Sequence, residues 1–224
     1  MAGNFRGERI TPSKSSNKLS FSGRIRKNFM GETAILILAA GASRRMGHPK
    51  QTLRVGARTL LDSVVHECIQ AEIGPVFLVT GAYEGEVKRS VSTDSITLVH
   101  NPFWEEGMGS SLAKGVESIV DHAPFDQILL VLGDQYKLTS DSLHRLIVCY
   151  RSSEKTIGIS VFEGGSGPPA IFSRKWFPEL MKLRGEEGAR PLVRAHRSEV
   201  VQIELSEAGA DLDTPEDYQK LHQP

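Results

Sequence analysis

The chain has 224 residues with 27 basic and 27 acidic side chains, enough for one α/β domain with a substantial core. The charge is uneven: residues 1–33 carry seven Lys/Arg against two acids, net +5, so the remainder is −5 and makes a poor general nucleic-acid binder. No apolar run approaches the roughly 18 residues of a membrane span, and two cysteines, Cys68 and Cys149, make neither a disulfide framework nor a four-cysteine zinc site; a reducing cytoplasm is expected.

Residues 1–33 mix Gly, Ser, Asn and basic side chains without sustained periodicity. They are expected to be a disordered basic segment; a start-site artefact, a partner-binding arm or an organelle transit peptide are the alternatives. The folded domain is expected over 34–224. Its first element is the apolar run 34–40, a buried parallel strand, followed by a loop over 41–49 punctuated by Gly41, Gly47 and Pro49. Leu60, Leu61, Val64, Val65 and Cys68 recur at helical spacing and predict a helix over 59–70. A strand at 75–80, a short helix at 84–91 and a strand at 96–99 follow. The spacing then predicts a helix over 110–120, a strand at 127–132 ending at Gly133-Asp134, and a helix over 140–150. Strands at 156–162 and 169–172 precede helices over 173–183 and 189–196, and a late strand spans 200–205. A last helix starts at Thr214 as N-cap, with Pro215 at its first position and Glu216 and Asp217 in its first turn.

This alternation predicts a single three-layer, Rossmann-like α/β domain with a mostly parallel sheet. Ligands bind such sheets at the carboxyl ends of strands, beside a reversal of strand order. The loops 41–50 and 133–136 are therefore the places to look. In the first, small residues allow close backbone approach, amides can face phosphate oxygens, and Arg44, Arg45 and Lys50 add three cations. It is neither a Walker A sequence nor a dinucleotide fingerprint. A tight turn with solvated basic side chains is the competing reading. Asp134, just past an apolar strand, is placed either to hold Mg²⁺ or to cap a turn. Ser110 reads as the N-cap of the helix that follows Gly107-Met108-Gly109, with ligand contact compatible with that role. Trp104 reads as partly buried packing, and His48 and His100 as structural. There is no His-Glu-x-x-His zinc pattern and no Gly-x-Ser-x-Gly elbow.

The run Leu38-Ala39-Ala40-Gly41-Ala42-Ser43-Arg44-Arg45-Met46-Gly47-His48-Pro49-Lys50 resembles the opening signature of the MobA-like nucleotidyltransferases of molybdenum cofactor metabolism. The resemblance continues through Val79-Thr80-Gly81-Ala82, His100-Asn101-Pro102, Glu106-Gly107-Met108-Gly109-Ser110-Ser111-Leu112, Leu132-Gly133-Asp134-Gln135, Gly188-Ala189-Arg190 and 211–218, so it spans about residues 34–222. The Glu-Gly-Met-Gly-Ser-Ser stretch and Gly-Asp-Gln resemble the cytidylyltransferase subgroup more than the guanylyltransferases.

The resemblance implies a glycosyltransferase-A-like architecture and transfer of CMP from CTP to the phosphate of a molybdopterin-type cofactor, with release of pyrophosphate. It implies Arg44, Lys50 and Asp134 as catalytic residues. Leu38, Ala39, Ala40, Gly41, Ser43, Thr80, Gly109, Ser110 and Ser111 would join them around the nucleotide. Asp134 and Asp211 would hold Mg²⁺, with Asp213 the alternative to Asp211. Asp217 reads as a capping partner of Thr214. A molybdenum hydroxylase receiving the product is the implied partner, with no membrane and no nucleic acid. The rivals are a nucleotidyltransferase using GTP or another acceptor such as a sugar phosphate, and a non-catalytic carrier or chaperone for the molybdenum cofactor.

Overall fold

Six consecutive residues with small, branched or aliphatic side chains, Thr33–Leu38, form the central strand, and all six are buried. Complete burial of Ile35, Leu36 and Ile37 on both faces of the sheet stabilises the fold by about 1.5–3 kcal/mol per side chain. The computed structural model describes residues 9–10, 32–43, 49–210 and 218. In chain order the strands are β1 (Arg9–Ile10), β2 (Thr33–Leu38), β3 (Arg54–Val55), β4 (Arg58–Thr59), β5 (Val76–Thr80), β6 (Ile96–His100), β7 (Gln127–Leu132), β8 (Ile157–Phe162), β9 (Gly165–Ser173) and β10 (Val200–Glu204). The helices are α1 (Leu60–Gln70), α2 (Glu84–Ser90), α3 (Met108–His122), α4 (Ser140–Arg151), α5 (Phe177–Leu180) and α6 (Arg190–Ala195).

The main sheet has the order β1-β10-β8-β9-β7-β2-β5-β6. Among its described strands only β9 runs antiparallel, pairing with β7 and β8. This is the expected mostly parallel α/β sheet. Its strands sort side chains to two cores with period two. Ile35 and Ile37 face a core shared with α1, α2 and α4, whereas Ala34, Leu36 and Leu38 face one shared with α3, α5 and α6. The chain steps from β2 outward to β5 and β6, then returns across β2 to β7. Right-handed crossovers place helices on opposite faces when the strand order reverses, so α1 and α2 lie on one face and α3 on the other. The reversal falls between β2 and β7.

Local signals set the helix ends. Thr59 caps α1 by accepting from the Asp62 amide at 3.1 Å, and Thr139 caps α4 by accepting from the Ser142 amide at 3.1 Å. Several expectations need correction. Helix α3 starts two residues before 110, with Gly107 at the N-cap, φ 95°, so Ser110 sits inside the first turn. The helix expected over 173–183 is a 3-10 turn, Arg174–Trp176, followed by the short α5, because Pro178 fits only a first helical turn. The strand expected at 169–172 is the longer antiparallel β9, which returns from β8 through Glu163-Gly164. The hairpin of β3 and β4 was not foreseen, nor was β1, which pairs in parallel with β10. Apart from residues 9, 10, 32 and 33, the segment 1–33 lies outside the described residues, as does the expected helix from Thr214 apart from Tyr218.

Candidate nucleotide site

A cleft of about 320 Å³ opens at the carboxyl ends of β2 and β7, where the strand order reverses. Leu38, Ala39, Ala40, Gly41, Ala42, Ser43, Lys50 and Gln51 line one side. Gly133 and Asp134 form the floor side, and Trp104, Glu105, Met108, Ser111 and Glu186 line the facing wall.

The strand-end loop is held from both directions. The Ala39 amide donates to the Val79 carbonyl at 2.9 Å, and the Ala82 amide donates to the Ala40 carbonyl at 3.1 Å. Gly81 must stay small, since a Cβ there would lie 2.7 Å from both the Ala40 carbonyl oxygen and Cβ of Trp104. Ser43 adopts φ +48°, and its hydroxyl accepts from the Lys50 amide at 3.2 Å and donates to Oε1 of Gln51 at 3.3 Å. Nε2 of Gln51, a residue only 4% exposed, donates to the Ala39 and Gly41 carbonyls at 3.4 and 3.3 Å.

Asp134 arrives on the turn after β7, anchored where the Gly133 amide donates to the Leu38 carbonyl at 3.0 Å. Gln135, 1% exposed, braces that turn. Its Oε1 accepts from the Leu132 amide at 3.1 Å, and its Nε2 donates to the Pro168 and Ala208 carbonyls at 2.7 and 2.9 Å. Lys50 reaches across the cleft so that Nζ stands 2.5 Å from Oδ2 of Asp134, with each side chain 16% exposed. Oδ1 of Asp134 is buried without a hydrogen-bond partner among the described residues. An oxygen ligand that is desolvated and still has acceptor capacity suits a hard divalent cation. Among the described residues no group of three His, Cys, Asp or Glu converges on one point.

The facing wall rests on close backbone contact. The Gly109 amide donates to the Gly185 carbonyl at 2.8 Å, and the Gly185 amide donates to the Glu106 carbonyl at 2.8 Å. A Cβ on Gly109 would meet Arg184 backbone atoms at 2.7–2.8 Å, and one on Gly107 would meet Gly185 at 2.5 Å. These glycines thus let the segment carrying Glu186 lie against the start of α3. Nδ2 of Asn101 donates to the hydroxyls of Ser110 and Ser111 at 3.0 Å each. The Ser110 hydroxyl donates to the Phe103 and Gly107 carbonyls at 2.8 and 2.9 Å.

Of the anticipated residues, the structure brings Leu38, Ala39, Ala40, Gly41, Ser43, Lys50, Ser111 and Asp134 together around the cleft. Thr80, Gly109 and Ser110 do not line it; all three are buried, and the Thr80 hydroxyl has no partner among the described residues. Arg44, Asp211 and Asp213 lie outside the described residues, as do Arg45, His48 and Asp217. Trp104 packs partly buried, as expected, and also lines the cleft. His100 is near the surface, with Nδ1 3.3 Å from a Glu84 carboxylate oxygen. Sequence reasoning missed Gln51, Gln135 and Asn101 as bracing residues. Asn101 and Gln135 stand inside quoted motifs and Gln51 directly follows one, which was the available signal.

Comparison with known proteins agrees with this geometry. The MobA-like NTP transferase domain matches residues 35–200. The purine catabolism protein PucB of Bacillus subtilis strain 168 is 29% identical over 199 residues, covering 82% of this chain and 92% of that protein. The molybdenum cofactor cytidylyltransferase of Escherichia coli K12 is 28% identical over 184 residues, with the same 82% and 92% coverage. Among solved structures, Rv0371c of Mycobacterium tuberculosis H37Rv superposes with a TM-score of 0.76 at 29% identity, covering 86% of this chain and 97% of that one. A second structure of Rv0371c, a complex with manganese, gives 0.71 at 28% identity over 85% and 97%. With a glycine-rich strand-end loop, a cation and a carboxylate gathered at the sheet's reversal and a family match over most of its length, this chain belongs to the MobA-like NTP transferase family.

Proposed function

We propose that this nucleotidyltransferase moves CMP from CTP to the phosphate of a molybdopterin-type cofactor and releases pyrophosphate. The observation that carries the reading is the Lys50–Asp134 pair, which puts one cation and one partly unsatisfied carboxylate beneath a loop of small residues. The Escherichia coli cytidylyltransferase relative supports the donor and the acceptor.

The acceptor brings its own nucleophile, a phosphate oxygen. That oxygen bonds to the α-phosphorus, the bond from the α-phosphorus to the bridging oxygen breaks, and pyrophosphate leaves with the electron pair. No protein nucleophile is required, so the chain's task is alignment and charge neutralisation. Lys50 would neutralise charge on the departing phosphates, together with Arg44. The strand-end loop would hold the nucleotide against its backbone. Asp134, aided by Asp211 or Asp213, would hold Mg²⁺, which offsets phosphate charge when bound; the manganese complex of Rv0371c supports a divalent metal in this family. A molybdenum hydroxylase would receive the product. Both cysteines are free and buried, which suits the cytoplasm as the place of action.

A second reading keeps the reaction and changes the acceptor. The purine catabolism relative is as similar to this chain as the cytidylyltransferase is. Pyrophosphate release, measured with Mg²⁺ and each of CTP, GTP, ATP and UTP with and without molybdenum cofactor, separates the two. Release that requires both CTP and the cofactor is the expected result. Release with another pair overturns the substrate assignment and keeps the transferase. No release from folded protein with any pair overturns the molybdenum cofactor as acceptor and leaves a cofactor carrier or a transferase with a different acceptor.

A further inference from the structure

We propose that Gln51 is a positioning residue that sets which way the amides of the strand-end loop point, and so creates the anion-binding face of the cleft. The inference rests on the polyphosphate-binding reading of that cleft.

The carboxamide is buried beneath the loop, and its Nε2 donates to two alternate carbonyls, those of Ala39 and Gly41. In a planar trans peptide the carbonyl and the following N–H point in opposite directions. Drawing the Ala39 and Gly41 carbonyls towards Gln51 therefore turns the Ala40 and Ala42 amides away from it. Neither amide donates to a backbone carbonyl among the described residues, and both residues line the cleft. The peptide between them is fixed from the other side, where the Ala40 carbonyl accepts from the Ala82 amide. The loop thus has its carbonyls held back by protein donors while its amides stay available, which is the arrangement an anion needs.

The other end of the carboxamide completes the device. Oε1 of Gln51 accepts from the Ser43 hydroxyl, and that hydroxyl accepts from the Lys50 amide. The two ends of the loop are laced together, and Lys50, whose ammonium meets Asp134, is held at its backbone by the same network. Gln51 is a lining residue of the cleft, but its carboxamide is occupied by the loop's own carbonyls and the Ser43 hydroxyl, so it acts through the loop. A glutamate would be nearly the same shape, yet it would present oxygen to the two carbonyls and lose the donor that orients them.

The test uses two probes with Mg²⁺: inorganic pyrophosphate, which reports the anion site alone, and CTP. Binding to wild-type protein, Gln51→Leu and Gln51→Glu is measured by calorimetry well below the unfolding temperature, alongside thermal unfolding and the KM for the acceptor. The expected result is at least about tenfold weaker binding of both probes in both variants, with acceptor KM within about twofold. Should Gln51→Leu fail to fold, Ser43→Ala removes one link of the network and is expected to weaken both probes by about threefold. Variants that unfold earlier yet bind both probes as wild type does would show a purely structural brace and overturn the proposal. Wild-type protein that binds neither probe would overturn the polyphosphate reading itself, and this inference with it.

Discussion

Replacing Lys50 by methionine keeps the length of the side chain and removes its charge, which isolates the electrostatic role. Nζ of Lys50 lies 2.5 Å from Oδ2 of Asp134, and both side chains are 16% exposed. An exposed pair contributes at most about 1 kcal/mol, whereas deleting one partner of a buried pair costs about 3–5 kcal/mol. This pair lies between those limits, so a loss of about 1–3 kcal/mol in stability is expected. For a domain of this size that lowers the unfolding temperature by about 2–12 °C. The effect on turnover is separate and larger. Removing one preorganised charge from an electrostatic site costs about 2.7–4 kcal/mol, a hundred- to thousandfold in rate. Pyrophosphate release with the nucleotide and acceptor selected by the panel measures the rate, and thermal unfolding measures the fold. The double variant with Asp134→Asn adds a coupling energy, expected to be non-zero because the groups touch. A folded Lys50→Met protein that turns over within about threefold of wild type refutes the role given to this ammonium.

Two further outcomes test other parts of the structure. Gly109→Ala places a Cβ 2.7 Å from the Arg184 carbonyl group, so the 184–186 segment must move; a destabilisation of about 1–3 kcal/mol is expected in urea unfolding, and an unchanged midpoint would contradict the close packing. Glu207 tests a pH effect. Burial pushes its carboxyl up, but a hydrogen bond from its own backbone and the contacts with Arg145 and Ser142 outweigh that and hold it below its ordinary value. A depressed carboxylate contributes stability that is full above its unfolded pKa, about 4.3, and is lost as pH falls through the lower folded value. Glu207→Gln is therefore expected to flatten the acid limb of stability below about pH 5. An acid limb as steep as that of wild type would remove Glu207 from the explanation.

Much of the architecture was legible in the sequence because it depends on local periodicity. The runs in Thr33–Leu38 and Gln127–Leu132 bury side chains on both faces, so each is apolar after its first residue and announces a parallel interior strand. Helix α1 was legible from the apolar face formed by Leu60, Leu61, Val64, Val65 and Cys68, and α4 was placed as a helix over 140–150; their threonine caps emerged only in the structure. The strand-end loop and Asp134 were also visible, since small residues and a carboxylate at strand ends have few local reasons to be there. What failed locally had a tertiary cause. Ser110 looked like a cap, but Gly107 takes that place because the chain must turn where the segment after Arg184 presses against it.

The sequence by itself determined the order of the helices and of the main-sheet strands β2 and β5 to β10, the two-sided core and the chemical character of the loop after β2, since each follows from residue types a few positions apart. The tertiary structure alone decided which distant groups meet. Lys50 and Asp134 are 84 residues apart and become partners only because β2 and β7 are neighbours in the sheet. The same adjacency of strand ends leaves the cleft at the reversal of strand order. Gln51, an unremarkable polar residue in the sequence, becomes the brace of the loop only when burial removes water as its partner and leaves two backbone carbonyls in its place.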